Sequence, residues 1–185
     1  MPNHPRVFAI CSRVALLLVL AGAAGADTAL FDPSSGYRLT QYRAPIPAPP
    51  AGIAALTTAE VVALSAAGAR LLDVNPLRQY RIAEDGHWIH AEPHDSLPGA
   101  LWLPVVGWGR LEPGAEAYLS ATLARHVAKG TPVIVFCRQD CWLSWNAVQR
   151  VRDLGHEARW YPGGVDDWRA QGRTLVRVAP VPWVR

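Results

Sequence analysis

The stretch "VIVFCRQDCWLSWNAV", Val133 to Val148, places Cys137 and Cys141 four residues apart between a run of apolar residues and a helical pattern. A thiolate is the nucleophilic form of cysteine, and two cysteines can be bridged when a turn brings their Cα atoms to about 4.4–6.8 Å. Three chemistries are open to such a pair. One is thiol–disulfide exchange. Another is transfer of a sulfur atom held as a persulfide on Cys137, with Cys141 as the resolving thiol. The third is a permanent bridge that only staples the loop, where a short loop brings little entropic gain.

The element pattern gives these thiols a setting. Val133 to Cys137 reads as a buried strand, and Trp145, Val148, Val151 and Leu154 give the apolar face of a following helix that Gly155 ends. A cysteine at the carboxyl end of a strand, ahead of a helix, would face successive backbone amides and the positive helix end. Both favour its anion. The expected cradle is the loop of amides 138 to 142, with Arg138, Gln139, Asp140 and Trp142 as its residues, Cys137 as nucleophile and Cys141 as partner.

Other uses of two cysteines fit less well. Attachment of a c-type haem needs histidine directly after the second cysteine, where Trp142 stands. Zinc needs about four ligands, and the pair would have to recruit His87, His90 or His94 from a distant loop. A cysteine phosphatase wants arginine near the end of its loop, whereas Trp142 and Leu143 fill that region and Arg138 directly follows Cys137. No metal site is expected.

Among single residues, Asp73 lies in the short buried run Leu71-Leu72-Asp73-Val74 that Pro76 stops. Trp142 flanks the second thiol and could wall the site or present a face to a partner. Trp145, Trp160 and Trp168 read as packing residues. Asn146, just inside the helix, could hold the loop through its side chain. The three histidines of the loop "EDGHWIHAEPHDS" are solvent-exposed by expectation, and one over the cysteines could move a proton. Asp166 and Asp167 suit the start of a short helix.

The remaining chain divides into recognisable parts. The stretch "MPNHPRVFAICSRVALLLVLAGAAGAD" has Arg6 and Arg13 ahead of a short apolar run and Ala24-Gly25-Ala26 before Asp27, the pattern of an export signal covering residues 1–26. Its apolar run is shorter than the ~20 residues a membrane span needs, which favours export with cleavage over the alternative of an uncleaved membrane anchor. Cys11 lies within it, so the exported chain keeps only the pair at 137 and 141. Loss of Arg6 and Arg13 takes the formal charge from +3 to +1, the basic residues form no run, and nucleic-acid binding is not expected. An oxidising compartment follows from export and allows a disulfide to persist.

Residues 27–55 are proline-rich and extended, either a wrap along the surface or a spacer. From Leu56 the chain alternates helices and strands. Thr57 and Glu60 have capping-box spacing, and a second helix is expected from Ala115 to Lys129. Strands are expected near Leu71–Val74, Val133–Cys137 and Arg159–Tyr161, with about forty loop-like residues after the first. That order argues an α/β fold with an open parallel sheet covered by helices on both faces, over residues 56–178, followed by a tail over 179–185.

The segments "LTTAEVVALSAAGARLLDV", "LPGALWLP" and "PVIVFCRQDCW…VRDLGHEARWYPGGVDDWRAQG" together resemble a single rhodanese domain, from roughly Leu56 to Leu175, and the resemblance implies for Asp73 a role in bracing loops by hydrogen bonds. Within that superfamily, "GYRLTQYRAPIP", "LPGALWLPVVGWGRL" and "CRQDCWLSWNA" resemble the exported proteins named for a Cys…Cys-Trp motif and associated with pyrroloquinoline-quinone-dependent alcohol catabolism. The resemblance implies a periplasmic protein near quinoprotein dehydrogenases, with redox-related or sulfur-related activity. No site for the quinone itself is read in the sequence. Rhodaneses that transfer sulfur usually carry glycine three residues after the cysteine and a basic or hydroxyl residue two further on; Asp140 and Trp142 stand there. The charge of Asp140 near Cys137 would repel thiosulfate, and a chain lacking that glycine is expected to bend its amides inward less readily. The resemblance therefore points to an exported thiol protein working through Cys137 and Cys141 rather than to ordinary thiosulfate transfer. The alternative is a non-catalytic binding module with the cysteines locked in a structural bridge.

Overall fold

A computed structural model describes Met1 and residues 29–183. The expected export signal lies outside the described residues. Among those described, no helix is long and apolar enough to cross a membrane.

The centre is a four-stranded parallel sheet. Its strands are β1 (Arg70–Asp73), β5 (Leu101–Trp102), β6 (Val133–Phe136) and β7 (Ala158–Tyr161), in the order β5-β1-β6-β7. Asp73 pairs in register with both Trp102 and Phe136. Successive side chains of a strand point to opposite faces, and the two halves of the core follow that alternation. Leu71, Ile134, Phe136 and Tyr161 pack with Val61 of α1 (Thr58–Ala66) and with Val165 and Trp168 of α4 (Gly164–Ala170). Leu72, Val133 and Val135 pack on the other face with Leu119 and Leu123 of α2 (Ala115–His126) and Ala147, Val148 and Val151 of α3 (Trp142–Asp153). Helices thus cover both faces, as the α/β reading expects. Each fully buried valine or leucine of these layers stabilises the fold by roughly 1.5–3 kcal/mol.

Cys137 continues the alternation of Val133 and Val135, so its sulfur lies on the α2/α3 side. This parity delivers the first cysteine toward the helix that begins with Trp142.

Several boundaries follow the expected chemistry. Thr57 caps α1 through a capping box with Glu60, and Gly68 (φ 98°) closes the turn behind it. The second helix ends at His126 rather than Lys129, because Val127 turns into extended backbone and packs into the core. The segment after β1 is less irregular than expected. It holds an antiparallel pair, β2 (Arg81–Ile82) with β3 (Trp88–Ile89), and β4 (His94–Ser96), which pairs with β8 (Val176–Val178). Residues past 178 pack in the same body: Trp183 stacks on Tyr118 with ring centroids 4.7 Å apart, and its amide donates to the Gly86 carbonyl.

The proline-rich lead wraps the surface. Its end runs beside the outer strand, where Trp160 donates to the Ala54 carbonyl and Leu56 donates to the Trp160 carbonyl. The free edge of β7 is covered in this way.

Candidate functional site

Cys137 and Cys141 are joined by a disulfide, with Cα atoms 6.2 Å apart. The turn between them is made by Asp140, whose φ of 53° lies in the left-handed region. Aspartate tolerates that region better than most side chains, so the turn closes without a glycine at this position. Cys141 occupies the N-cap of α3, with its carbonyl accepting from the Ser144 hydroxyl at 3.0 Å. Ser144 in turn accepts from the Trp160 indole at 3.0 Å, which ties the first turn of α3 to β7.

Two of the five loop amides expected to cradle Cys137 are bonded elsewhere. The Gln139 amide donates to the Asp166 carboxylate at 3.1 Å, and the Trp142 amide donates to the Tyr42 carbonyl at 3.0 Å. Asp166 therefore binds the cysteine loop in addition to sitting in the first turn of α4. On the outer side, Ala44 donates to the Asp140 carbonyl, and Arg43 donates to the Gln139 carbonyl at 2.6 Å. The lead is hydrogen-bonded along the loop like an added strand, and it takes the Trp142 amide that a bound anion would need.

What faces the sulfur of Cys137 instead is Asn75, with its Oδ1 3.3 Å away. The orientation of this amide is fixed by its other partners. Its nitrogen donates to Asp73 Oδ1 at 2.8 Å, and its oxygen accepts from Arg138 Nε at 3.1 Å. Asp73, fully buried, also accepts from the Asn75 backbone amide, the His94 ring and the Ser96 hydroxyl. The bracing role expected for Asp73 is thus visible. It fixes Asn75 under the disulfide, and it holds His94 beside Trp102. Asn75 escaped the sequence reading because "DVNP" looks like an ordinary turn; an asparagine two residues after a buried aspartate was the available signal.

A cleft of about 610 Å³ reaches the second cysteine. Its wall includes Cys141 and Leu143 together with Tyr42, Trp108, Arg43, Arg78, Arg138 and Glu92. Three guanidinium groups against one carboxylate give this wall a positive balance. Both cysteines are buried, with 0% exposure for Cys137 and 2% for Cys141, and of the two only Cys141 contributes to the cleft wall.

The rhodanese-like domain family matches residues 57–171, more than half of the chain and all of the sheet that carries this loop. The chain belongs to the rhodanese-like family. Among solved structures, a thiosulfate sulfurtransferase from Pseudomonas aeruginosa is similar at 17% identity over 72% of this chain, with a TM-score of 0.47. The chain spans only 22% of that enzyme's length. A full-length protein from Lactobacillus plantarum (16% identity, 68% of this chain and 88% of its own, TM-score 0.43) and a Bacillus halodurans protein (18%, 67% and 75%, TM-score 0.42) are also similar. No curated protein matches.

In this rhodanese-like chain, most of the remaining sequence-nominated residues serve the lead rather than the sulfurs. Asn146 does not hold the cysteine loop: it accepts from the Arg38 amide at 2.9 Å and donates to the carbonyls of Arg38 and Gly107, each at 3.0 Å. Trp142 presents no open face, because Phe31 packs edge-on against it and the Arg38 guanidinium sits 4.7 Å from its ring centroid. Trp145 donates to the Ala48 carbonyl at 3.2 Å. Arg150 lies 4.0 Å from the Tyr37 ring centroid, and burial holds its guanidinium below the usual arginine range. His87 pairs with Asp85 at the surface, and only His94 of the three loop histidines joins the Asp73 network. Among the described residues, no group of three or more His, Cys, Asp or Glu side chains is placed to hold a metal ion.

Proposed function

We propose that this rhodanese-like chain is a thiol protein of the periplasm that works by thiol–disulfide exchange at the Cys137–Cys141 pair. The observation that carries this reading is a disulfide one helix turn long, placed at the mouth of an arginine-lined cleft rather than between distant elements. A bridge closing so short a loop does little to hold the fold, so its position at a cleft is better explained by reaction than by stapling. The full burial of Cys137 weighs against loading it with a persulfide sulfur, and exchange therefore ranks above sulfur transfer. The leader pattern supports export, and the resemblance to proteins of quinone-dependent alcohol catabolism points to a periplasmic redox or quinoprotein dehydrogenase system as the setting.

Equilibration with a graded redox buffer tests the reading, with Trp142 and Trp145 fluorescence reporting the state of the bridge. A reduction potential between roughly −120 and −270 mV is expected of an exchanging pair. One below about −300 mV would make the bridge structural. The burial of both sulfurs favours that second reading, in which the chain is a non-catalytic binding module, and the same titration decides between them.

A further inference from the structure

We propose that Cys141, not Cys137, is the sulfur that exchanges with partners, and that its cleft selects small thiols carrying negative charge. The inference rests on the exchange reading above and assigns its order and its substrate class. Three independent features of the loop lead to it.

Access is the first. An attacking thiolate must approach one sulfur in line with the S–S bond, and the two sulfurs differ in what surrounds them. Cys137 is packed among Leu72, Val135 and the α3 residues with no surface free. Cys141 forms part of the cleft wall, beside Leu143 and Tyr42.

Electrostatics is the second. Cys141 is the N-cap of a twelve-residue helix, whose positive dipole end favours an anionic sulfur. Cys137 meets the opposite environment. Its nearest polar neighbour is a carbonyl oxygen, Asn75 Oδ1, which can accept a hydrogen bond from a thiol but repels a thiolate, and which already engages the Arg138 guanidinium. After reduction, Cys137 is therefore held as a thiol and Cys141 as the available nucleophile. Electrostatics alone would make Cys141 the better leaving group, but that preference matters only to a thiol able to reach Cys137.

The cleft is the third. Arg43, Arg78 and Arg138 line it against the single carboxylate of Glu92, and the three together outweigh the further carboxylate of Asp140, next to Cys141 in the chain. All three arginines are exposed at its rim, so they attract an anion without having to be desolvated. A cavity near 600 Å³ has room for a molecule of tripeptide size.

The steps balance without a further reagent. A thiol RSH attacks Cys141 Sγ as its thiolate, the S–S bond breaks, and an RS–S bond to Cys141 forms. The electron pair leaves on Cys137, which takes up the proton that the incoming thiol lost and donates it in a hydrogen bond to Asn75 Oδ1. A second RSH attacks the outer sulfur of the mixed disulfide, releasing RSSR and leaving Cys141 reduced. Two thiols are oxidised as one protein disulfide is reduced, and the reverse sequence oxidises the protein.

The test uses the full chain after removal of residues 1–26. Cys137→Ser leaves Cys141 as the one free thiol, and Cys141→Ser leaves Cys137. Each is mixed with the anionic disulfide 5,5′-dithiobis(2-nitrobenzoate) and with neutral 2,2′-dithiodipyridine. Free Cys141 is expected to react at least tenfold faster than free Cys137 with both reagents. It should prefer the anionic reagent by a factor that falls severalfold in Arg43→Gln/Arg78→Gln and in high salt. Should either single-cysteine variant fail to fold, the oxidised wild type is treated with glutathione, quenched in acid and mapped by mass spectrometry, with the tripeptide expected on Cys141. Equal or faster reaction at Cys137, or glutathione found there, overturns the order. Rates indifferent to reagent charge overturn the substrate class. A bridge that no thiol pool can open would instead defeat the exchange reading, and the single-cysteine rates would still report which sulfur is reachable.

Discussion

The side-chain amide of Asn146 pairs with the backbone of Arg38 as a neighbouring strand would, accepting from its N–H and donating to its carbonyl across 108 positions of sequence. A third bond, to the Gly107 carbonyl, uses the remaining amide hydrogen. Asn146 is fully buried, so replacing it with alanine strands several polar groups that water does not readily reach. Asn146→Ala is expected to cost about 2–4 kcal/mol, a fall of roughly 10 °C in melting temperature for a chain of this size. The lead should loosen before the sheet does. Hydrogen exchange at residues 31–43 should accelerate in the variant while exchange in β1 and β6 stays slow; uniform acceleration would show that Asn146 holds the whole fold rather than the strap.

A second expectation concerns Gly164, which opens α4 with φ at 54°. A Cβ there would lie 2.4 Å from the Cys137 carbonyl oxygen and 2.7 Å from its carbon. Both neighbours are backbone, and the same carbonyl accepts the Val165 amide, so neither can yield cheaply. Gly164→Ala should therefore destabilise by roughly 2–4 kcal/mol through left-handed strain and displacement of the cysteine loop. Gly172→Ala provides the comparison: its φ of 70° is also left-handed but nothing lies within 4 Å. Denaturant titration should show the smaller loss there, about 1 kcal/mol. Equal losses would mean that the contact with Cys137 adds nothing.

The first turn of the lead has a pH signature. Asp32 accepts from the Ser34 hydroxyl and from the amides of Ser34 and Ser35, and these bonds, the Ser34 hydroxyl first, lower its pKa from 3.8 to about 2. A carboxyl whose folded pKa is depressed contributes its stabilisation fully above the unfolded value and loses it as pH falls through the folded one. The turn around residues 32–37 should therefore persist at pH 4 and loosen between about pH 3.8 and 2. Carboxyl-carbon NMR should place the Asp32 midpoint near 2, and Ser34→Ala should raise it. A midpoint at the ordinary value in the wild type would mean that the turn is not formed in solution.

Local patterns made the scaffold legible and left the site's wrapping obscure. The run Val133 to Cys137 announced both the strand and the face on which Cys137 emerges, because strand alternation is a two-residue rule. Thr57 and Glu60 announced the start of α1 for the same reason: both partners lie within one turn. Nothing local tells that Tyr42, Arg43 and Ala44 lie along residues 139–142, or that Arg38 covers Trp142. Those contacts span about a hundred residues, and the lead that makes them has no periodicity of its own. The consequence was chemical, since the amides expected to cradle an anion at Cys137 are partly taken by the lead and by Asp166. Asn146 shows the same limit: its type and burial suited a holding role, but its partner could not be named from neighbours in sequence.

Asn75 offers the sharpest test of how the site sets its redox balance. In the oxidised protein Cys137 has no hydrogen to donate, so Asn75 Oδ1 gains nothing from it at 3.3 Å; in the reduced protein the thiol can donate to that oxygen. The hydrogen bond therefore stabilises the dithiol selectively. Removing it with Asn75→Ala should make the bridge harder to reduce. A net hydrogen bond of about 0.5–1.5 kcal/mol corresponds to a potential roughly 10–30 mV more negative. The variant will also lose stability, because Asp73 and Arg138 each lose a partner, but a merely structural loss would move the melting temperature of oxidised and reduced protein alike. The difference between the two forms isolates the effect on Cys137. Equilibration of wild type and Asn75→Ala against the same redox buffer reads it directly, and an unchanged or less negative potential would remove Asn75 as the acceptor for the buried thiol.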